Sequence, residues 1–213
     1  MKLEALFPYI LPDVPGAPDV TVKQALINSA IEFCTLTHVW DEIQDPLPLV
    51  DGQADYDVDS PNGGRVLTVK NVWALNRELR PVTMNELVQL IPNWQEATGS
   101  MPAYYNTPGD LGSITVYPIP VGANGATITI RAVYTPSLNA VLLPDPLINR
   151  YLEPLMSGAK ARLMLTPGKG WSNPQLGAYH QQQFDDGVLK AKIDVLHDKT
   201  QGSLRVKPLR FGF

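Results

Sequence analysis

The sequence predicts an α+β fold: a helical bundle formed by both chain ends, an inserted small antiparallel β domain, and an extended C-terminal tail. Both end regions repeat apolar residues at helical spacing, whereas Pro and Gly break the middle into short β-branched runs. The last fifteen residues contain four basic residues and no acid. We therefore expect the bundle at 1–40 and 144–198, a β-rich insertion with one short helix at 41–143, and the tail at 199–213.

Composition limits the class of protein. The chain has 213 residues, 44% hydrophobic and 18% charged, which suits a globular protein with a substantial core. Its formal charge of −4 disfavours a dedicated nucleic-acid-binding protein, and its single cysteine, Cys34, excludes an intrachain disulfide. The start "MKLEALFPYILPDVPG" lacks the pattern of a signal peptide, and no apolar run reaches the ~20 residues of a membrane span. We expect a soluble protein of the compartment in which it is made, with no membrane partner.

The first long helix is predicted at 21–40, "TVKQALINSAIEFCTLTHVW", with Asp19 or Thr21 as its N-cap. One face is formed by residues at helical spacing, namely Val22, Ala25, Leu26, Ser29, Phe33 and Leu36. Ile27 and Ile31 widen the apolar surface beyond that face. Because a helix that is apolar on more than one side is buried on more than one side, we predict that Ile27 and Ile31 contact a second subunit.

The middle of the chain is predicted to form short strands, among them "GRVLTVKNVWALN", "GSITVYPIP" and "ATITIRAVYTP". One helix interrupts them at "TMNELVQLIPNW". It opens with Thr83 and Glu86 at the spacing of a capping box and stops before Pro92.

Two helices are predicted near the C-terminus. The third begins at Asp145-Pro146, with Asp145 as the N-cap, and runs to about Leu165 with a kink at Pro154. Small residues permit close approach between these helices, namely Gly158, Ala159, Ala161 and Gly187.

The last helix begins at Asn173-Pro174 after the turn "TPGKGWS" and runs to about Asp198. Its core-facing positions are predicted to be Leu176, His180, Phe184, Val188, Ala191 and Val195.

Candidate metal sites do not meet their ligand requirements. Asp55, Asp57 and Asp59 resemble the start of a calcium loop, but the positions that need Gly and Glu hold Ser60 and Val66. These aspartates are better explained as alternating positions on an exposed strand face. A pair formed by Cys34 and His38 lacks the further ligands that zinc needs, so core packing is the better explanation for Cys34.

The sequence also lacks recognisable catalytic motifs. "TPGKG" does not match a phosphate-binding loop, and neither a nucleophile elbow nor a dinucleotide fingerprint is present. His180 is interpreted as a packed histidine, and His197 as a solvated one near a helix end. We therefore predict no catalytic residue, metal or cofactor, and a role that is not enzymatic.

Two segments carry a family resemblance. "AIEFCTLTHVWDE" contains the run F-C-x-x-T-x-x-W at Phe33, Cys34, Thr37 and Trp40. The segment from "YLEPLMSGAKARLML" onward contains Gly-Ala-x-Ala-x-Leu, a Pro-x-x-x-Trp turn at 167–171, and a long final helix. Together these segments resemble the head–tail adaptor, or connector, proteins of tailed bacteriophages. The likeness covers most of the chain and is strongest at 25–42 and 145–195.

The resemblance implies a structural virion protein of the head–tail neck, synthesised in the host bacterial cytoplasm. Such adaptors assemble as a homo-oligomeric ring, commonly a dodecamer, beneath the portal protein. They extend the DNA channel, through which the genome passes without specific binding, and they contact a downstream neck or tail protein. Other classes remain open: a tail-completion or other tail structural protein, a small cell-wall or sugar hydrolase, and a DNA-binding module.

The tail, "QGSLRVKPLRFGF", is predicted to anchor the protein to the portal. Its alternating apolar and basic residues suit a strand added to a partner's sheet edge, with the basic side chains meeting acidic ones. The predicted portal-binding residues are Leu204, Arg205, Val206, Lys207, Leu209, Arg210, Phe211 and Phe213.

Overall fold

The computed structural model describes residues 1–109, 112–123 and 125–198. Contacts between residues divide the chain into two compact units. Among the described residues, the helical unit contains Leu3–Val39 and 144–198, and the β unit contains Trp40–Leu143. The α+β class and the antiparallel strand pairing predicted from the sequence are confirmed.

The helices in the described part of the chain are two short 3₁₀ segments and four α-helices. The 3₁₀ segments are Leu3–Tyr9 and Leu11–Asp13, and the α-helices are α1 (Asp19–Thr37), α2 (Met84–Leu90), α3 (Asp145–Met164) and α4 (Pro174–Leu196).

The β unit contains eleven strands within the described residues. They are β1 (Asp41–Ile43), β2 (Leu47–Pro48), β3 (Asp55–Asp57), β4 (Gly64–Ala74), β5 (Arg77–Glu78), β6 (Arg80–Pro81), β7 (Thr98–Gly99), β8 (Tyr104–Asn106), β9 (Ser113–Tyr117), β10 (Ile119–Pro120) and β11 (Thr127–Pro136).

The longest strands, β4 and β11, form the centre of the main sheet. Its order is β1-β11-β4-β5, β2 also pairs with β11, and every pairing is antiparallel. Ile130 lies opposite Val72, and both are buried. A second sheet has the order β3-β9-β8-β6, in which only β6 and β8 run parallel; β7 and β10 form a short parallel pair.

Three charged residues join the strands of the main sheet. Asp41 on β1 accepts a hydrogen bond from Nε of Arg131 on β11 at 2.8 Å. Nζ of Lys70 on β4 lies 3.6 Å from the same carboxylate. The Asp41 side chain is 4% exposed, so burial of its charge is offset by these two cations.

α2 covers a small hydrophobic cluster elsewhere in the β unit. Val82, Leu87 and Tyr117 are buried there, and Trp94 meets the ring of Tyr117 edge-on at 5.7 Å. The predicted capping box is confirmed: Thr83 Oγ1 accepts a bond from Glu86 N, and the Glu86 side chain accepts one from Thr83 N. These bonds satisfy backbone donors at the start of a helix that is only seven residues long.

The boundaries of α1 differ from the prediction at both ends. Asp19 is already helical, Pro18 is the N-cap, and no side chain caps the helix, so the prediction of Asp19 or Thr21 was wrong. The helix ends at Thr37 instead of residue 40, because His38 adopts a left-handed conformation with φ 55°. Thr37 Oγ1 donates to Phe33 O at 2.6 Å, so its buried hydroxyl has a partner within the last turn.

The N-cap of α3 was also predicted wrongly, whereas the N-cap of α4 was correct. Pro144 precedes α3, and the carboxylate of Asp145 instead accepts a hydrogen bond from the N-terminal ammonium of Met1 at 2.6 Å. Asn173 caps α4 by accepting a bond from Leu176 N at 3.2 Å. The expected kink in α3 is present at Tyr151, three residues before Pro154, because proline obstructs the preceding turn.

Candidate assembly interface

The three long helices of the helical unit meet at Gly158 on α3. A Cβ atom at this position would lie 2.3 Å from Ser29 Oγ on α1 and 2.6 Å from the Phe184 ring on α4. Gly187 on α4 similarly lies against Pro154 on α3. A Cβ atom added at Gly187 would lie 2.4 Å from the Cβ of Pro154. The predicted close approach at Gly158 and Gly187 is therefore confirmed, and any larger side chain would push the helices apart.

Aromatic rings surround the same junction. Phe33 on α1 contacts Tyr151 on α3 at a centroid distance of 5.3 Å and Phe184 on α4 at 6.0 Å. All three side chains are at most 5% exposed. Tilted and edge-on ring pairs of this kind stabilise packing beyond the area that they bury.

Polar contacts between the helices supplement this packing. Ser29 Oγ donates to Leu155 O at 2.8 Å, so its buried hydroxyl has a partner. Tyr151 Oη donates to Asp194 Oδ2 on α4 at 2.9 Å. Burial, together with the Asp194 carboxylate, raises the pKa of Tyr151 to about 12, so this phenol stays protonated at neutral pH and remains a donor.

Salt bridges join further elements of the helical unit. Lys160 Nζ on α3 lies 2.5 Å from Asp13, and the Arg162 guanidinium pairs with Glu32 on α1. The side chain of Lys160 is only 14% exposed, so its ion pair is shielded from water more than the pair at Arg162. Together these contacts hold α3 against the first forty residues of the chain.

The residues that carried the sequence resemblance have structural roles. Phe33 and Cys34 are fully buried in α1, and Thr37 closes that helix. Trp40 lies beyond the helix, in the β unit, where Nε1 donates to Glu42 Oε1 at 2.8 Å and the ring contacts Tyr134. After α3, Ser172 Oγ and Asn173 N both bond to Met164 O, so the turn into α4 is well defined.

The family model that describes the SU10 adaptor protein matches residues 3–207, nearly the whole chain. The chain belongs to the SU10 adaptor protein family. This is a family of phage head–tail adaptors, so the resemblance noted in the sequence is confirmed. None of the curated proteins matches the chain.

Membership of this family establishes the general role of the adaptor. It is a bacteriophage structural protein and a virion component, and its family associates with portal and tail proteins. A structural role also supports a function that is not enzymatic. The alternative classes, a hydrolase and a DNA-binding module, have no comparable support.

The predicted interface residues of this adaptor have different environments. Ile27 is 2% exposed in the single chain, so little of its surface remains for a neighbouring subunit, whereas Ile31 is partly exposed. Their contact with a second subunit stays a prediction. Leu36, expected on the main buried face of α1, is 45% exposed. All eight predicted portal-binding residues lie at 204–213, outside the described residues.

The residues considered for chemistry are explained by packing or exposure. Asp55 and Asp57 are exposed on β3 on either side of the buried Tyr56, as the alternating pattern predicted. Cys34 is fully buried, and burial raises the pKa of its thiol to about 12, so it is not a reactive thiolate at neutral pH. His38 is exposed.

His180 is partly buried on α4. Burial, and to a smaller extent the charge of Lys160, lower its pKa, which favours the neutral imidazole.

The described residues, 1–109, 112–123 and 125–198, contain no group of three or more His, Cys, Asp or Glu that could hold a metal ion. Within that same part of the chain, no helix is both long and apolar enough to cross a membrane.

Sequence reasoning missed a second apolar face on α4. Leu189, Ile193 and Leu196 are 60%, 55% and 68% exposed, and we call these three residues the α4 stripe. Their spacing of i, i+4 and i+7 repeats that of the buried residues Phe184, Val188 and Ala191, displaced by five positions. Five positions correspond to about 140° around a helix, so α4 is apolar on two separate sides. The same spacing test that found the buried face would have detected the second one.

Proposed function

We propose that this adaptor assembles as a dodecameric ring beneath the portal protein, extends the DNA channel, and links the capsid vertex to the next neck or tail protein. The observation that carries the proposal is the family match over residues 3–207. In this proposal the helices of both chain ends form the bundle that is the body of each subunit. Its tight junction at Gly158 supports a body that keeps its shape when neighbours press on it.

Each subunit of a ring uses two different surfaces, because in a head-to-tail contact one patch of a subunit binds a different patch of its neighbour. We place Ile31 in one of these surfaces, since it is partly exposed beside the buried core of α1. Ile27, one turn earlier on the same side, is 2% exposed and would support Ile31 from within the subunit.

The chain is acidic over residues 1–198. Its formal charge is −4 even though residues 199–213 contribute four positive charges and no acid. Neutralisation of phosphates by Lys and Arg is what makes a protein bind DNA tightly. An acidic ring body therefore suits a channel through which genomic DNA moves without specific binding.

The tail is proposed as the portal anchor. Its apolar residues would occupy pockets beside a sheet edge of the portal, and its basic residues would meet acids there. One tail would bind weakly, since ordering an extended segment costs about 1–2 kcal/mol per residue in backbone entropy. A ring of tails that engages a ring of portal sites gains avidity through effective concentration.

The test is to mix the adaptor with its cognate portal and image the product by electron microscopy. We expect the full chain to form a ring on the portal, and the deletion of residues 203–213 to abolish stable binding while the melting temperature changes little. Full-strength portal binding by the deletion variant would rule out the tail as the anchor. Absence of any ring with the full chain would rule out the proposed assembly.

A further inference from the structure

The α4 stripe is an apolar surface that none of the described residues, 1–109, 112–123 and 125–198, covers. Its three side chains occupy the last two turns of α4, on the side away from Phe184 and the rest of the buried face. A single exposed leucine is normal on a protein surface. Three large aliphatic residues on successive turns form a contiguous patch, and such patches indicate an interaction site.

A left-handed residue follows the end of α4. Asp198 has a φ of 51°, in the left-handed region that side chains other than Gly, Asn and Asp rarely adopt. Its N–H bonds to Val195 O at 3.0 Å, and the N–H of His197 bonds to Ile193 O at 3.1 Å. A left-handed residue directly after a helix turns the chain away from the helix axis.

The segment that follows has the length to cover the stripe. It begins at residue 199, three positions after Leu196, and ends at residue 213. The stripe extends over about 10 Å at 1.5 Å per helical residue. Eleven extended residues, 203–213, reach up to about 35 Å, so they can run back along the stripe to the middle of α4.

The chemistry of this segment also matches the stripe. It contains large apolar residues and no acid. Asp185 and Asp186 are exposed on α4 just before the stripe, whereas Lys190 and Lys192 border its middle. The charges therefore favour a register in which Arg210 lies beyond Leu189, beside the two aspartates.

We propose that the α4 stripe is a docking site for the C-terminal tail of the same chain, with Leu204, Val206 and Leu209 supplying the apolar contacts. Because the tail is tethered to α4, its effective concentration at the stripe is high, and a weak contact suffices. The docked tail covers the stripe in the free protein. This inference goes beyond the proposed function and does not depend on the portal.

Limited trypsin digestion tests the proposal on the full chain. Trypsin cuts after Lys199, Arg205 and Arg210 in the tail, whereas the bond after Lys207 precedes proline and resists cleavage. Docking protects the bonds after Arg205 and Arg210, and the bond after Lys199, which lies before the docked segment, is scored separately. The test variant is Leu189→Ser/Ile193→Ser, and the matched control is Gln175→Ser/Gln183→Ser, two exposed polar positions on the same helix. Mass spectrometry measures the rate of each tail cleavage, and melting temperatures confirm that both variants fold.

Since cleavage follows the population of undocked tail, we expect the bonds after Arg205 and Arg210 to be cut at least about threefold faster in the stripe variant than in wild type, with the control unchanged. The difference should persist over about a hundredfold range of protein concentration, because the contact is within one chain. Equal cleavage rates in stripe variant and wild type would overturn the proposal. Protection that grows with concentration would also overturn it, by assigning the stripe to a second copy.

Discussion

Gly158 shows how a single residue decides the spacing of the helices. It lies between Ser29 and Phe184, and each of them is nearer to a hypothetical Cβ atom than real contacts allow. Glycine is unfavourable in a helix by about 1 kcal/mol relative to alanine, so its place in α3 needs a reason. Packing supplies that reason, because only a hydrogen atom fits there.

We expect Gly158→Ala to lower the free energy of unfolding by about 1–3 kcal/mol, since overpacking outweighs the gain in helix propensity. Gly170→Ala is the matched control, because no atom lies within 4 Å of its hypothetical Cβ. Urea titration measures both variants. An unchanged midpoint for Gly158→Ala would show that α1 and α4 can move apart at no cost.

Among the elements, β1 is a short strand, and a charged contact contributes more to its attachment to the main sheet than its length does. It has only three residues, of which Glu42 and Ile43 are exposed. Asp41 nevertheless lies in a buried position between Arg131 and Lys70, which belong to the two longest strands. Removing one partner of such a pair leaves the opposite charge without compensation.

We expect Asp41→Ala to destabilise the β unit by about 2–3 kcal/mol, less than for a fully buried pair because Arg131 keeps 20% of its side chain exposed. The exposed Asp45→Ala is the control and should change stability by less than about 0.5 kcal/mol. Urea titration again gives both values. Similar losses of unfolding free energy in the two variants would show that the buried position of Asp41 adds nothing to stability.

For the whole molecule, the question is which exposed surfaces an assembly would cover. Ile31 is partly exposed on α1, the first α-helix of the helical unit. The α4 stripe is exposed on the last one. The family match assigns the chain to an adaptor but does not say which surface meets which neighbour. We have proposed a neighbouring subunit at Ile31 in the ring, and the chain's own tail at the stripe in the free protein, before that tail binds the portal.

We expect Ile31→Asp to impair ring assembly on the portal while the isolated chain still folds, because a desolvated subunit contact would bury an unpaired charge. Leu36→Asp introduces the same charge at an exposed apolar residue on another side of α1 and is the control. Electron microscopy counts the rings, and circular dichroism reports folding. Normal rings with Ile31→Asp would place Ile31 outside the subunit interface.

Local patterns in the sequence determined much of this protein. Apolar spacing together with proline and glycine placement predicted the α+β class, the Thr83–Glu86 spacing predicted the capping box, and Pro154 predicted the kink in α3. Each of these depends on residues close together in the chain. The two segments that resemble phage head–tail adaptors also predicted the family correctly. The ends of the helices were harder to predict. Pro18 and His38 determine the two ends of α1 through their backbone conformations, which apolar periodicity does not reveal.

Only the tertiary structure decided which apolar surfaces are covered. The wide apolar surface of α1 suggested a second subunit at Ile27, yet the chain itself buries that residue, while α4 leaves Leu189, Ile193 and Leu196 exposed. Periodicity shows that a helix has two apolar sides but not what lies against each. That depends on contacts between residues far apart in sequence, such as Ser29 with Leu155, which no local pattern encodes.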